Sequence, residues 1–283
     1  MPDPTTRDHG QIVAIVDRAE AVDSFGQTLA AVFRYRELLK NLVLKDLKLK
    51  YRGSVLGFLW SLANPLLMIV IYTIAFEYIL RIQVEGFVFY LMLGILAWTF
   101  FAGSATMAAG AIIDNGGLIK SVFFPRAILP VATVLFNFAQ YLLTASIFLP
   151  LMLIVYGVPL AAPMLAYPLV LALQLLFTIG VALMLATGTA FFRDIRHLLE
   201  VALAALFWLT PIVYQIDAIS DRGRSLIMLT PMSPFVVAYH RIFFYRDWPD
   251  ARTWVLATVY AVVAFGIGTA LMLRYEERFS EQI

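Results

Sequence analysis

RYRELLKNLVLKDLKLKYR, residues 34–52, runs directly into GSVLGFLWSLANPLLMIVIYTIAF, residues 53–76. The first stretch holds seven of the chain's 21 Lys/Arg (Arg34, Arg36, Lys40, Lys45, Lys48, Lys50 and Arg52) against Glu37 and Asp46, and the second holds no charge. At 1.5 Å per residue the uncharged run is long enough to cross about 30 Å of hydrocarbon. Lys/Arg beside a first span keep that end on the cytoplasmic side. The basic stretch is also patterned. At 100° per residue, Arg34, Glu37, Asn41, Lys45, Lys48 and Arg52 form one polar stripe, with Leu38, Leu39, Leu42 and Val43 across from it. Arg36, Lys40 and Lys50 intrude on the apolar side. The pattern predicts an amphipathic helix on the membrane surface, its stripe facing water or a partner. The plainer alternative is that these charges only set topology.

The rest of the composition agrees with a membrane protein. Of 283 residues, 61% are hydrophobic and 14% charged, and mean hydropathy is +0.83; soluble domains carry about 25% charged residues. Basic residues sit where topology places them, so nucleic-acid binding has no support. The absence of cysteine excludes disulfides, thiolate metal sites and cysteine catalysis, and His9, His197 and His240 lack metal-ligand spacing. Residues 1–30 hold no apolar run longer than Ile12–Val16 and read as a partly disordered cytoplasmic arm without a cleavable signal.

Further charge-free runs cover Gly86–Ile113 and Ala127–Phe192. The second is too long for one span, and Pro150, Gly157, Pro159, Pro163 and Pro168 split it into a hairpin with spans near 130–155 and 166–191. Val201–Ile216, extended through Leu198, gives a fifth span, and Thr253–Leu273 a last one. Ser225–His240 is apolar but short and broken by Pro231 and Pro234, which predicts a re-entrant segment. The expected fold is therefore an all-α polytopic membrane protein with six transmembrane helices and both termini cytoplasmic. It divides into an arm at 1–30, an interface helix at 31–52 and a permease domain at 53–283, with a cytoplasmic loop at 114–126 and an outer region at 222–248. In this topology only Arg81, Arg222, Arg224, Arg241, Arg246 and Arg252 fall outside, a bias that fits an inside N-terminus.

The source of energy is constrained: this chain does not hydrolyse nucleotide itself, and ion coupling is weakened but left open, because backbone carbonyls can also bind an ion. No G-x-x-x-x-G-K-[ST] motif occurs, and the span centres hold no Asp, Glu, Lys or Arg to bind a coupling ion. Asp114, Asp194 and Asp217 lie at rims, where solvated loop charges are commoner than catalytic acids. The third span does carry a polar stripe: Thr133, Asn137, Gln140, Tyr141 and Thr144. In hydrocarbon such groups face either a partner helix or a hydrated pathway. Neutral amides, hydroxyls and aromatic rings suit a polyhydroxylated ligand, and Trp60 and Asn64 on the first span read the same way. Aromatics including Trp208 and Tyr214 cluster near interfaces, where belts are expected. Between the second and third spans, Asn115-Gly116-Gly117 is expected to end the helix. Leu118, Ile119, Lys120, Val122, Phe123 and Phe124 then form a short apolar segment stopped by Pro125. Exposed on a cytoplasmic loop, it would dip into lipid or dock into a soluble partner.

Four segments in order, DLKLKYRGSVLGFLW (46–60), the loop at 115–126, FFRDI (191–195) and FWLTPIVY (207–214), resemble the permease of polysaccharide-exporting ABC transporters of the type 2 exporter class. The likeness covers nearly all of the chain beyond residue 30. It implies a homodimer in the bacterial cytoplasmic (inner) membrane, joined to two copies of a separate ATPase. This chain would bind no cofactor itself; ATP and Mg would sit on that partner. The resemblance further implies ATPase contacts from the interface helix (Arg34, Glu37, Asn41, Lys45 and Lys48) and from a coupling helix in the 115–125 loop. The cargo would be a polysaccharide linked to an undecaprenyl-type diphosphate, passing Trp60, Asn64, Asn137, Gln140, Tyr141, Thr144, Trp208 and Tyr214 and gated outside by re-entrant helices. Export of drugs or small lipids on the same fold, and ion-coupled transport, are the competing readings.

Overall fold

The computed structural model describes residues 34–52, 59–79, 81, 85–121 and 124–276. The expected arm at 1–30, the start of the first span at 53–58, and Val122 and Phe123 of the cytoplasmic loop lie outside them.

Helix α1 (Arg36–Tyr51) precedes α2 (Leu59–Thr73), which continues into a π-helical turn, Ile74–Ile79. Next come α3 (Phe87–Gly110), the short α4 (Gly116–Ser121), α5 (Ile128–Val155), α6 (Tyr167–Phe191) and α7 (Ile195–Leu209). Two short helices, α8 (Asp221–Ile227) and α9 (Ser233–Tyr239), follow, the latter running into a π-turn at His240–Tyr245. The last helix, α10 (Ala251–Tyr275), starts where the Asp250 carboxylate accepts from the Thr253 N–H at 3.0 Å. Among the described residues, five helical stretches, beginning at Leu62, Phe87, Ile128, Ala162 and Ala251, are long and apolar enough to span a bilayer. The protein is an all-helical polytopic membrane protein.

Helix α3 is apolar on every side, as a helix surrounded by protein should be. Of its apolar window 72% is buried inside the subunit, against 11% for α2. Thus α3 is the central post, and α2 leaves most of its apolar surface uncovered by the described residues. Phe89, Leu91, Met92, Phe100 and Phe101 of α3 build the main core with Phe148, Phe177, Phe235 and Tyr239. Helices α6 and α10 pack closest of all: a Cβ at Gly180 would strike the backbone of Ala264 and Phe265, and one at Gly268 the backbone of Gly180. Small residues permit such backbone contact between membrane helices.

Two expectations need correction. The fifth span was expected as a helix from Leu198 to Ile216, but α7 ends at Leu209. Its 15 residues cover about 22 Å. Thr210 turns extended (φ −91°, ψ 136°) before Pro211, as a residue preceding proline prefers. Thr210, Pro211, Ile212 and Val213 are buried, and the Tyr90 hydroxyl holds this break by donating to the Tyr214 carbonyl at 2.8 Å. Secondly, Asn115-Gly116-Gly117 does not end α3. That helix stops at Gly110, a 3-10 turn covers Ile113–Asn115, and Gly116, in right-handed helical geometry (φ −54°), opens α4. The stop falls where Gly110 leaves room for the Asp114–Arg196 ion pair (2.9 Å), since a Cβ there would meet both side chains.

Candidate functional site

A cavity of about 360 Å³ opens between α2, α3, α5 and the end of α1. Six of the eight expected path residues line it: Trp60, Asn64, Asn137, Gln140, Tyr141 and Thr144. Residues four apart on α5 stack one turn above another, which brings Asn137 beside Tyr141 and Gln140 beside Thr144. Leu96, Thr99, Phe100 and Gly103 of α3 form the facing wall. Gly103 makes room for the amide, because a Cβ there would stand 3.1 Å from Asn137 Oδ1. Trp60 is 54% exposed and Asn64 is exposed, so the α2 side of the cavity is open.

The polar stripe divides into groups that serve the helix and groups that face the cavity. Thr133 donates to the Leu129 carbonyl (3.1 Å) and Thr144 to the Gln140 carbonyl (2.9 Å), so both hydroxyls return to their own helix. Asn137 Nδ2 donates to the Thr133 carbonyl at 2.9 Å. Tyr141 bonds across to α6, its hydroxyl 3.1 Å from that of Tyr167. The helix-glue reading therefore holds for Tyr141, while its ring and the Asn137 amide still line the cavity. Beyond Tyr167, a buried polar chain continues: its ring meets Tyr239 edge-on at 5.9 Å, and the Tyr239 hydroxyl donates to Gln174 Oε1 at 2.7 Å. Gln174 Nε2 in turn donates to the Ala97 carbonyl at 2.9 Å.

Trp208 and Tyr214 are not brought to this cavity. They pair with each other, the Tyr214 hydroxyl donating to the Trp208 carbonyl at 3.2 Å. Conversely, Lys50 lines the cavity although its site role was not anticipated. Its ammonium donates to Gln140 Oε1 and lies 5.7 Å from the Phe136 ring centroid. Partial burial lowers its pKa from the ordinary lysine value. The only sequence signal was its intrusion on the apolar side of α1.

At the end of the bundle where α1 packs, the expected docking stripe (Arg34 just ahead of α1, then Glu37, Asn41, Lys45 and Lys48 on it) is exposed throughout. Leu42, on the opposite side, is buried with Ala111, Phe124, Ile128, Leu129 and Ala132. Phe124 was expected to be exposed on the loop; instead it is 5% exposed and plugs the contact between α1 and α5. Leu118 and Ile119 are half-buried against the same cluster, while Lys120 and Gly117 are exposed. The loop after α4 is fastened to the end of α10, where the Arg126 guanidinium donates to the Glu276 carbonyl and the Arg126 N–H to Glu276 Oε1 at 2.5 Å.

Outside the five span-length helices, His240 is buried and stacked on the Tyr90 ring (centroids 3.6 Å apart), its Nε2–H donating to the Tyr90 carbonyl at 3.0 Å. Burial pushes its pKa down to about 3, so it stays neutral at physiological pH. Because the folded pKa lies below the unfolded value of about 6.5, its stabilisation is present above that value and lost as pH falls towards 3. About 2 kcal/mol should be gone at pH 5. His240→Gln is expected to flatten this part of the pH profile in thermal unfolding; a profile identical to wild type would rule the assignment out.

Residues 37–244 match the ABC-2 type transporter family. The chain belongs to that family. It is similar to the O-antigen export system permease protein RfbA of Myxococcus xanthus, 34% identical over 257 residues, which cover 89% of this chain and 97% of the relative. A Klebsiella pneumoniae O-antigen export system permease protein RfbA is 33% identical over 208 residues, covering 73% of this chain and 80% of the relative. The polysialic acid transport protein KpsM of Escherichia coli is 22% identical over 200 residues, 69% and 76% of the two chains. As an ABC-2 family member the chain is a transporter membrane subunit and not an enzyme. Among its described residues, no three His, Asp or Glu side chains gather as a metal site would require.

Proposed function

We propose that this ABC-2 family member is the permease half of an ATP-driven exporter that moves a lipid-linked polysaccharide, of the undecaprenyl-diphosphate O-antigen type, across the bacterial cytoplasmic membrane. The observation that carries the reading is the cavity. Its wall of neutral amides, hydroxyls and aromatic rings suits sugars, and the M. xanthus relative that is similar over 89% of this chain is named for O-antigen export. Two copies would face each other across the open α2 side, and each would dock one separate ATPase that holds ATP and Mg. A sixth crossing would be made by α7 together with the buried extended stretch at 210–213, since non-helical backbone is tolerated at membrane depth where protein surrounds it. In this topology both termini are cytoplasmic, and α8 and α9 form a re-entrant pair at the outer mouth. The apolar window of α2 is largely unburied within the subunit, which supports a neighbour there.

ATP-driven closure of the ATPase pair would press on α1 and on α4, the coupling helix. Both rest on the Leu42–Phe124 cluster, so a push on either reaches α5 and the cavity wall. Glycan would then slide along neutral polar and aromatic groups, and the lipid would follow to the outer leaflet.

The reading is tested by purifying the protein with whatever ATPase binds it and asking which lipid-linked glycan stimulates hydrolysis. Asn137→Leu is expected to cut export about tenfold or more while leaving assembly intact; unchanged export would leave this residue as helix glue. The cavity volume also falls within the range for drug-sized ligands. Stimulation by small amphiphiles and not by lipid-linked glycans would favour that cargo. Docking is tested at Gly117, where an added Cβ meets nothing within 4 Å among the described residues. Gly117→Trp is expected to keep the fold yet weaken ATPase association roughly tenfold. Normal association would remove α4 from the interface.

A further inference from the structure

The cavity wall is uncharged except at one point. Lys50 is the only Lys, Arg, Asp or Glu among the described residues that line it. It comes from α1, which otherwise lies at the cytoplasmic end, and reaches across to α5. Among the described residues no carboxylate stands within ion-pair distance of its ammonium, and the hydrogen bond it makes is to a neutral amide oxygen, Gln140 Oε1. Lys50 is exposed, so water takes the other donors of its ammonium at rest, and an arriving anion can replace that water. The ammonium lies beside the Phe136 ring, and that apolar neighbour strengthens its attraction for an anion. A cation left without an anion, at the edge of an otherwise neutral pathway, is suited to an anionic group that arrives with the cargo.

We propose that Lys50 binds the phosphate of the lipid-linked cargo, and that Gln140 holds the ammonium at the cavity until the phosphate displaces it. The inference rests on the cargo reading given above and adds which atom of this chain meets the charged end of that cargo. It also gives α1 two ends with different tasks. Lys50 would contact cargo, while the exposed stripe from Arg34 to Lys48 would contact the ATPase. Arrival of a phosphate would then be felt by the same rigid helix that touches the motor.

The plainer role for Lys50 is to anchor α1 on α5, and the test separates the two. The permease–ATPase complex is placed in phosphatidylcholine nanodiscs and titrated with undecaprenyl diphosphate, and the half-stimulating concentration for ATP hydrolysis is read. Lys50→Met should raise it about tenfold or more, the usual range for losing a hydrogen bond to a charged group. Lys50→Arg should stay within about threefold of wild type. The wild-type value should rise with salt, and the Lys50→Met value should not. Gln140→Leu removes the resting partner together with a cavity-lining amide, so it is read by salt alone: the rise of the value with salt should persist in it. Lys50→Gln drops the charge while keeping a donor, and supplies the same readout where the methionine variant does not assemble.

Equal half-stimulating concentrations for wild type and Lys50→Met would overturn the inference and leave the cargo reading standing. Loss of the salt dependence in Gln140→Leu as in Lys50→Met would overturn it in favour of anchoring. A phosphatidylglycerol bilayer that abolishes the difference between wild type and Lys50→Met would make Lys50 a headgroup contact, which also overturns it. A wild-type complex indifferent to undecaprenyl diphosphate would remove the cargo reading itself.

Discussion

Gly268→Leu is expected to abolish stable accumulation of the protein, whereas Gly266→Leu, two residues away on the same helix, should be tolerated. A Cβ at Gly268 would run into the backbone of Gly180, while one at Gly266 meets nothing within 4 Å. Overpacking a core costs about 1–3 kcal/mol when side chains can yield. Backbone cannot yield locally, so α6 and α10 would have to separate along their whole contact. That loss exceeds about 3 kcal/mol, enough to lower the thermal midpoint by about 10 °C for a chain of this size. Monodisperse yield and thermal midpoint in detergent provide the check. Equal behaviour of the two variants would show that the α6–α10 contact is not what limits stability.

Gln174→Leu should produce the second large effect. Gln174 is fully buried and joins α3, α6 and α9 through the Ala97 carbonyl and the Tyr239 hydroxyl. Leucine of similar size removes this acceptor and leaves the Tyr239 hydroxyl only that of Tyr141, which already bonds Tyr167. Interhelical hydrogen bonds in membrane proteins average only about 0.6 kcal/mol, but a stranded buried donor costs about 1–3 kcal/mol. The second figure governs here because Tyr239 is only 2% exposed and water cannot replace the amide. The single substitution is therefore expected to cost about 2 kcal/mol. Adding Tyr239→Phe should recover part of it, since removing both partners strands neither. Faster amide exchange at residues 233–245 in Gln174→Leu would locate the loss at the outer helices. Strict additivity of the two substitutions would refute the link.

Both predictions concern side chains whose importance no local pattern reveals. Span-length apolar runs announce themselves, because bilayer thickness dictates a length and charge marks the ends. The expected segments near 130–155, 166–191 and 253–273 agree with α5, α6 and α10 to within about two residues, the usual scatter of helix ends. The stripe on α5 was equally legible, since helical periodicity places Asn137, Gln140, Tyr141 and Thr144 together before any tertiary contact is known. Composition alone could not tell that α7 stops at Leu209. Its end is decided by Pro211 and by burial of the following turn under Tyr90, a residue 121 positions away in sequence. Phe124 was misread for a related reason: its apolar loop context is the same whether the ring faces a partner or its own core. Lys50 looked like a flaw in an amphipathic pattern, and only the arrival of α5 beside it turns the flaw into a feature. Trp208 belongs to neither cavity nor core and is 57% exposed, in keeping with an interfacial ring.

The joint between Arg126 and Glu276 has a practical corollary. The end of α10 and the loop that carries α4 are tied through main-chain and guanidinium contacts, so they should travel as one piece when the transporter cycles. A spin label or fluorophore introduced at Arg274, two residues before the knot, would then follow the motion of α4 without touching the surface that α4 presents. Distance measurements between two such labels in a purified assembly would follow the stroke in real time, with every docking residue left native.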